Sequence, residues 1–111
     1  MPGHPFEISP ADAKQKIEAG EAVLIDVREE AEYQIAHIDG AELIPTNTVP
    51  QRVQYLEGLA DEKLVVIHCH HGIRSLNVVN WLRQQGVENC LSLEGGIDLW
   101  SAQVDASVPR Y

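Results

Sequence analysis

The sequence predicts an α/β fold in which a mostly parallel sheet is covered by helices on both faces. Short apolar runs typical of buried strands alternate with segments that have the apolar spacing of helices. Such alternation indicates βαβ units, whose sheets are parallel and covered on both sides. With 111 residues, 44% of them hydrophobic and 23% charged, the chain fits one domain, 1–111, with a core over about 6–103 and a tail after it.

The predicted elements follow from local patterns taken in order. Apolar runs or alternations predict strands at 6–8, 22–25, 42–44, 64–67 and within 87–93. Ser9, Pro10 and Asp12 have the arrangement of a helix start, and Gly20 and Gly86 stand where helices are expected to end. Further helices are predicted at 29–36, 51–59, 75–85 and 97–103, with a loop between the prolines at 45 and 50.

Charge and composition exclude several classes of function. The net charge of −9 argues against nucleic acid as a partner, because such binding depends on Lys and Arg. No apolar run approaches the length of a membrane span, and the first seven residues lack the basic and apolar regions of a signal peptide. Two cysteines do not form a disulfide framework, so a cytoplasmic location is expected.

The segment 63–76 carries the strongest functional signal. Leu64–Ile67 reads as a buried strand, Cys69 stands just past it, and Ser75 opens a segment with the apolar pattern of a packed helix. The backbone N–H groups of residues 70–75 can surround the sulfur, and the positive end of the following helix points at the same place. Both effects stabilise a thiolate, which makes Cys69 the candidate nucleophile.

The residues after Cys69 form the candidate binding loop: His70, His71, Gly72, Ile73, Arg74 and Ser75. Gly72 permits a tight turn, and Arg74 adds a permanent cation at the start of the helix. The two histidines are expected to line the pocket rim and to help bind anions.

A neighbouring strand contributes a second pair of candidate residues. Asp26 and Arg28 end that strand, so the topology of a parallel sheet places them at the same edge as Cys69. We expect them to pair with each other in a mainly structural role, with Arg28 also shaping the field of the pocket.

Other conspicuous residues receive structural interpretations. Cys90 has no basic neighbour in the sequence and is expected to pack in the core, as are Trp81 and Trp100. Glutamates 29, 30 and 32 are read as a solvated helix face.

No metal site and no cofactor are expected. His68 is interpreted as a strand residue satisfied locally, and consecutive residues 68–71 cannot all converge on one ion. No second group of ligands is visible elsewhere in the sequence.

Motifs across nearly the whole chain resemble the rhodanese family of sulfurtransferases. These motifs are Leu24–Glu29, Glu32-Tyr33 followed by His37–Ala41, the loop Cys69–Ser75, and Gly95–Trp100. Ala36 and Asp39 stand where the family usually has Gly and Pro, a departure that concerns only a turn.

The resemblance implies a single-domain rhodanese fold with five strands and ping-pong chemistry. Cys69 would take a sulfane sulfur from thiosulfate or a persulfide donor and hold it as a persulfide. It would then pass the sulfur to cyanide or a thiol. The implied partners are therefore a small anionic donor and such an acceptor, and a sulfur-relay protein is left open.

Two alternatives remain at this stage. Tyrosine phosphatases place five residues between cysteine and arginine, whereas only four separate Cys69 from Arg74, so sulfur transfer is favoured over phosphatase or arsenate reductase activity. A sulfur carrier or a regulatory binding module with the same fold also stays open.

Overall fold

The computed structural model describes residues 4–111 and contains one five-stranded sheet whose neighbouring strands all run parallel. The expectation that residues 1–7 are not a signal peptide concerns in part residues 1–3, which lie outside the residues that the structure describes. The strand order is β1-β5-β4-β2-β3. The strands are β1 (Glu7–Ile8), β2 (Ala22–Asp26), β3 (Glu42–Leu43), β4 (Leu64–His68) and β5 (Cys90–Leu93). The predicted α/β fold with a five-stranded parallel sheet is confirmed.

Helices connect the strands. They are α1 (Pro10–Glu18), α2 (Glu30–Ile35), α3 (Val53–Glu62), α4 (Ile73–Gln84) and α5 (Gly96–Gln103), with a 3₁₀ helix at Thr46–Arg52. Ser9 accepts a hydrogen bond from the Asp12 backbone N–H, as the capping pattern predicts. Gly20 and Gly86 adopt φ values of 75° and 94° just past α1 and α4, a conformation that side chains disfavour.

Helices cover both faces of the sheet because successive side chains of the central strand point to opposite sides. Val65 and Ile67 belong to a buried cluster that includes Leu56 of α3 and Leu82 of α4. Val66 belongs to the cluster on the other face. That second cluster also contains Ala13 of α1 and Ile97 and Trp100 of α5.

Two local predictions differ from the structure. The segment after Pro45 is a 3₁₀ helix rather than a loop, because the Pro45 carbonyl accepts hydrogen bonds from both the backbone N–H and the hydroxyl of Thr48. Helix α4 begins at Ile73 rather than at Ser75, because Gly72, with φ of 105°, already occupies the N-cap.

The segment after α5, which the sequence leaves without a clear pattern, folds back along the domain. Val108 is buried, and its carbonyl accepts a hydrogen bond from the Ser101 hydroxyl. This anchor directs Arg110 and Tyr111 toward the carboxyl edge of the sheet. Over residues 4–111, no helix combines the length and apolar character that crossing a membrane requires.

Candidate active site

Cys69 lies immediately after β4, at the carboxyl edge of the sheet, and is only 1% exposed. Its Sγ atom accepts hydrogen bonds from the backbone N–H groups of Gly72 (3.1 Å) and Ser75 (3.4 Å). The left-handed conformation of Gly72 and the first turn of α4 direct these donors at the sulfur. The site therefore offers preorganised donors to a negative charge on Sγ.

Two serine hydroxyls extend this arrangement. The Ser75 Oγ lies 3.4 Å from Sγ and 2.7 Å from the Ser92 Oγ on β5. Both serines are fully buried. When Cys69 is a thiol, its S–H can donate to Ser75; when it is a thiolate, the Ser75 hydroxyl can rotate to donate to the sulfur.

Helix α5 supports the loop from the other side. The N–H groups of Ile97 and Asp98 donate to the carbonyls of Cys69 (2.9 Å) and His70 (3.1 Å). A Cβ at Gly96 would collide with these same two carbonyl oxygens. The glycine in the Gly95–Trp100 motif thus allows α5 to dock directly on the loop Cys69–Ser75.

Arg74 does not stand free at the pocket. Its two terminal nitrogens donate to the two carboxylate oxygens of Glu32 on α2, at 2.8 and 2.9 Å. The hydrogen bonds from Arg74 lower the pKa of Glu32 to about 2. The same pairing raises the pKa of Arg74, and Coulomb attraction to Cys69 adds to that rise. The expectation that Glu32 lies on a solvated helix face is therefore wrong. The positive charge expected at Arg74 is neutralised by the Glu32 carboxylate.

Asp26 and Arg28 pair as expected and are completely buried. The Arg28 Nε and Nη2 atoms donate to the two Asp26 oxygens at 3.0 and 2.7 Å, and Nη2 also donates to the Ala36 carbonyl. His68 is buried beside them, with Nε2 3.6 Å from Asp26 Oδ2, and burial lowers the pKa of this imidazole. Nδ1 of His68 lies 3.3 Å from the Cys69 carbonyl oxygen, but Nε2 has no hydrogen-bond partner. The prediction that the His68 side chain finds its hydrogen bonds locally therefore holds for one ring nitrogen only.

Tyr111 bridges the loop Cys69–Ser75 and α2. Its ring stacks on His70 with centroids 4.0 Å apart, and its carbonyl lies 3.0 Å from His70 Nε2. Its hydroxyl accepts a hydrogen bond from Arg28 (2.6 Å) and donates one to Glu32 (3.0 Å). Tyr111 therefore spans the space between the loop and the end of β2.

His70 and His71 lie on the outer side of the loop, next to Asp98. The two imidazoles stack with centroids 3.9 Å apart, and ligand atoms of all three residues lie within 4.8 Å of one another. The sequence analysis, which saw no second group of ligands, did not anticipate Asp98 beside these histidines. Both Asp98 oxygens, however, are hydrogen-bonded to Arg110, at 3.0 and 3.1 Å, which occupies the carboxylate.

The other cysteine sits in a different environment. Cys90 is buried at the start of β5, and burial raises the pKa of its thiol to about 11. Arg83 donates to the Cys90 carbonyl at 2.6 Å, so the cysteine does have a basic neighbour in space. The raised pKa agrees with the packing role predicted for Cys90.

A largely apolar cavity of about 300 Å³ lies beside Arg74, where α4 meets the 3₁₀ helix. It is lined by Thr46, Pro50, Arg74, Asn77, Val78 and Trp81. Trp81 is therefore only partly a core residue, whereas Trp100 is buried as predicted.

Comparison with known proteins places this geometry in a family. The model of the rhodanese-like domain matches residues 9–103. The chain belongs to the rhodanese-like domain family. The resemblance inferred from the sequence motifs is thereby confirmed.

The relatives include both short and long proteins. Thiosulfate sulfurtransferase GlpE of Haemophilus influenzae is 35% identical over 95 residues, covering 85% of this chain and 86% of GlpE. The "Probable adenylyltransferase/sulfurtransferase MoeZ" of Mycobacterium tuberculosis is 31% identical over 105 residues, covering 94% of this chain. The chain spans only 26% of the length of MoeZ.

A solved structure shows the same fold. The crystal structure of protein SSP1007 from Staphylococcus saprophyticus superposes with a TM-score of 0.77 at 35% identity. The match covers 93% of this chain and 97% of that one.

Among the predicted loop residues, Gly72 and Ser75 contact Cys69 Sγ, whereas Arg74 pairs with Glu32, His70 and His71 lie on the outer side of the loop, and Ile73 is 75% exposed. The structure also adds residues that the sequence analysis did not select. These are Glu32, Ser92, Asp98, Arg110 and Tyr111. A serine within the apolar run 90–93 was a usable signal, because a hydroxyl in a buried strand requires a partner. Nothing in the local pattern indicated the contacts of Tyr111.

Proposed function

We propose that this protein is a sulfurtransferase that carries a sulfane sulfur on Cys69 as a persulfide. The observation that carries the proposal is the pair of backbone N–H groups, from Gly72 and Ser75, that donate to Cys69 Sγ. Fixed donors around one sulfur atom favour a thiolate, which is the attacking form of cysteine.

The first half-reaction loads the sulfur. With thiosulfate, the thiolate attacks the outer sulfur, a new S–S bond forms, and the S–S bond of the donor breaks as sulfite leaves with the electron pair. With a protonated organic persulfide, the same attack on the outer sulfur releases a thiolate. In both cases the loop donors would hold the terminal sulfur of the Cys69 persulfide.

The second half-reaction unloads it. Cyanide or a thiolate attacks the outer sulfur of the persulfide, and the Cys69 thiolate leaves. Thiocyanate or a new persulfide is the product. Neither half-reaction requires a proton-transfer residue, which agrees with a site built mainly from hydrogen-bond donors.

The comparisons support sulfur transfer in general. The GlpE relative, matched over most of both chains, is named a thiosulfate sulfurtransferase, and MoeZ is named partly for sulfurtransferase activity. The short loop supports the same chemistry, because four residues between Cys69 and Arg74 make a smaller ring than a phosphoryl group requires.

Intact-protein mass spectrometry tests the proposal. The protein is incubated with thiosulfate or with cysteine persulfide, and the mass is measured before and after cyanide. We expect a gain of one sulfur atom that cyanide removes, that is absent in Cys69→Ser and that persists in Cys90→Ala. No gain from either donor would reject the proposal, and turnover of aryl phosphate or arsenate would then point to the alternatives.

A further inference from the structure

Arg74 is the one arginine of the loop 70–75, and its guanidinium is already bound to Glu32 before a donor arrives. The bidentate pair occupies both terminal nitrogens of Arg74, and Tyr111 donates a further hydrogen bond to the same carboxylate. The Glu29 backbone N–H donates to this carboxylate as well, so an anionic donor that sought Arg74 would have to displace a carboxylate already held by four hydrogen bonds.

The other arginines that contact this region are also matched by carboxylates. Arg28 pairs with Asp26, and Arg110 pairs with Asp98. The whole chain carries a net charge of −9. The positive potential at Cys69 therefore comes mainly from backbone N–H groups and the start of α4, with the imidazoles of His70 and His71 nearby.

Thiosulfate is a dianion and has no organic part. A pocket mouth in which each arginine is neutralised gives it little long-range attraction. The apolar cavity beside Arg74, about 300 Å³ and bordered by Pro50, Val78 and Trp81, offers contact surface that only an organic donor can use.

We propose that Glu32 is a specificity-determining residue that masks Arg74 and so favours an organic persulfide over the thiosulfate dianion. This inference rests on the proposed function. Glu32 acts through Arg74 and does not touch the reacting atoms.

Alkylation of Cys69 measures the masking without requiring sulfur transfer. Iodoacetate is an anion and iodoacetamide is neutral, so the ratio of their rate constants reports the potential at Sγ and cancels changes in the thiolate fraction. The reaction is run at pH 8, where imidazole is ordinarily uncharged, and Cys69 is followed by peptide mass mapping.

Glu32→Gln keeps the side-chain shape and one acceptor oxygen but removes the charge. We expect the iodoacetate/iodoacetamide ratio to rise about two- to five-fold, the order of effect that Coulomb's law gives for one unit charge near a pocket in a largely aqueous medium. Glu30→Gln, an exposed residue of the same helix, is the matched control and should change the ratio far less.

A double-mutant cycle, in which the charges of Glu32 and Arg74 are removed singly and together, protects the test against misfolding of one variant. Arg74→Gln leaves Glu32 uncompensated and should lower the ratio, whereas the double variant Glu32→Gln/Arg74→Gln should return it close to the wild-type value. An unchanged ratio in both single variants would overturn the inference.

Donor kinetics complete the test. In Glu32→Gln, kcat/KM for thiosulfate should rise relative to kcat/KM for cysteine persulfide, by more than the alkylation ratio, because thiosulfate carries two charges. Sulfur transfer with an unchanged donor preference would reject the role of Glu32 and keep the proposed function. Absence of transfer from either donor would reject the function, while the alkylation ratio would still report the masking.

Discussion

The hydroxyl oxygens of Ser75 and Ser92 lie 2.7 Å apart in the buried wall next to Cys69. Ser75 belongs to α4 and Ser92 to β5, so the contact joins the helix that follows the Cys69 loop to the neighbouring strand. To donate to the sulfur, the Ser75 hydroxyl must turn away from the Gly72 carbonyl, its acceptor at 3.2 Å, and the Ser92 hydroxyl can then donate to the Ser75 oxygen. The pair extends the anion cradle from the backbone into the sheet.

Removing the second hydroxyl should weaken the cradle without removing a sulfur contact. We expect Ser92→Ala to slow alkylation of Cys69 by iodoacetamide about five-fold, because one buried hydrogen bond contributes about 1 kcal/mol. Ser75→Ala should slow it further, since Ser75 itself contacts Sγ. Equal rates in wild type and Ser92→Ala, measured at one pH near neutrality, would contradict a role of Ser92 in supporting the sulfur.

Tyr111 should restrict access to Cys69. Tyr111→Ala removes the stack on His70 and two hydroxyl hydrogen bonds, so we expect Cys69 to react with iodoacetamide several-fold faster through local opening. Tyr111→Phe keeps the ring and should fall between this variant and wild type. Tyr55→Ala, at an exposed tyrosine bonded to Glu42, is the control and should have the wild-type rate.

Gly96 should tolerate no side chain. Gly96→Ala places a Cβ against the carbonyls of Cys69 and His70 at a residue with φ of 59°, so we expect a loss of at least about 2 kcal/mol in the free energy of unfolding. Gly58→Ala, in the middle of α3 with open space around it, should instead stabilise the protein by about 0.5–1 kcal/mol. Urea unfolding followed by circular dichroism compares the two, and similar effects would refute the steric account.

The Glu32–Arg74 pair should make stability depend on pH in a defined range. The pKa of Glu32 is lowered from 4.5 to about 2, so its contribution is complete above pH 4.5 and is lost as the pH falls through about 2. Because Arg74 is partly exposed, we expect Glu32→Gln to cost only about 1 kcal/mol at pH 7.

The measurement is the free energy of urea unfolding of wild type and Glu32→Gln from pH 7 down to pH 2.5. The difference between the two proteins should stay constant to about pH 4.5 and then shrink. A difference that grows on acidification would show that the folded state does not hold Glu32 ionised.

The sequence alone predicted most of the backbone and selected Cys69 as the candidate nucleophile. Apolar runs, helix-capping residues and glycines are local signals, and Cys69 followed by a glycine turn and a helix start is a local arrangement too. Even the pairing of Asp26 with Arg28 was predictable, because the two residues stand two positions apart at the end of one strand.

The tertiary structure decided what surrounds the thiol. Arg74 meets Glu32 across 42 residues, Tyr111 meets Arg28 across 83, and Ser75 meets Ser92 across 17. Such contacts depend on how helices and strands pack and on where a returning segment is anchored, neither of which leaves a periodic trace in the sequence. For the same physical reason, the sequence shows that Arg74 is charged, and only the fold shows that its charge is already neutralised.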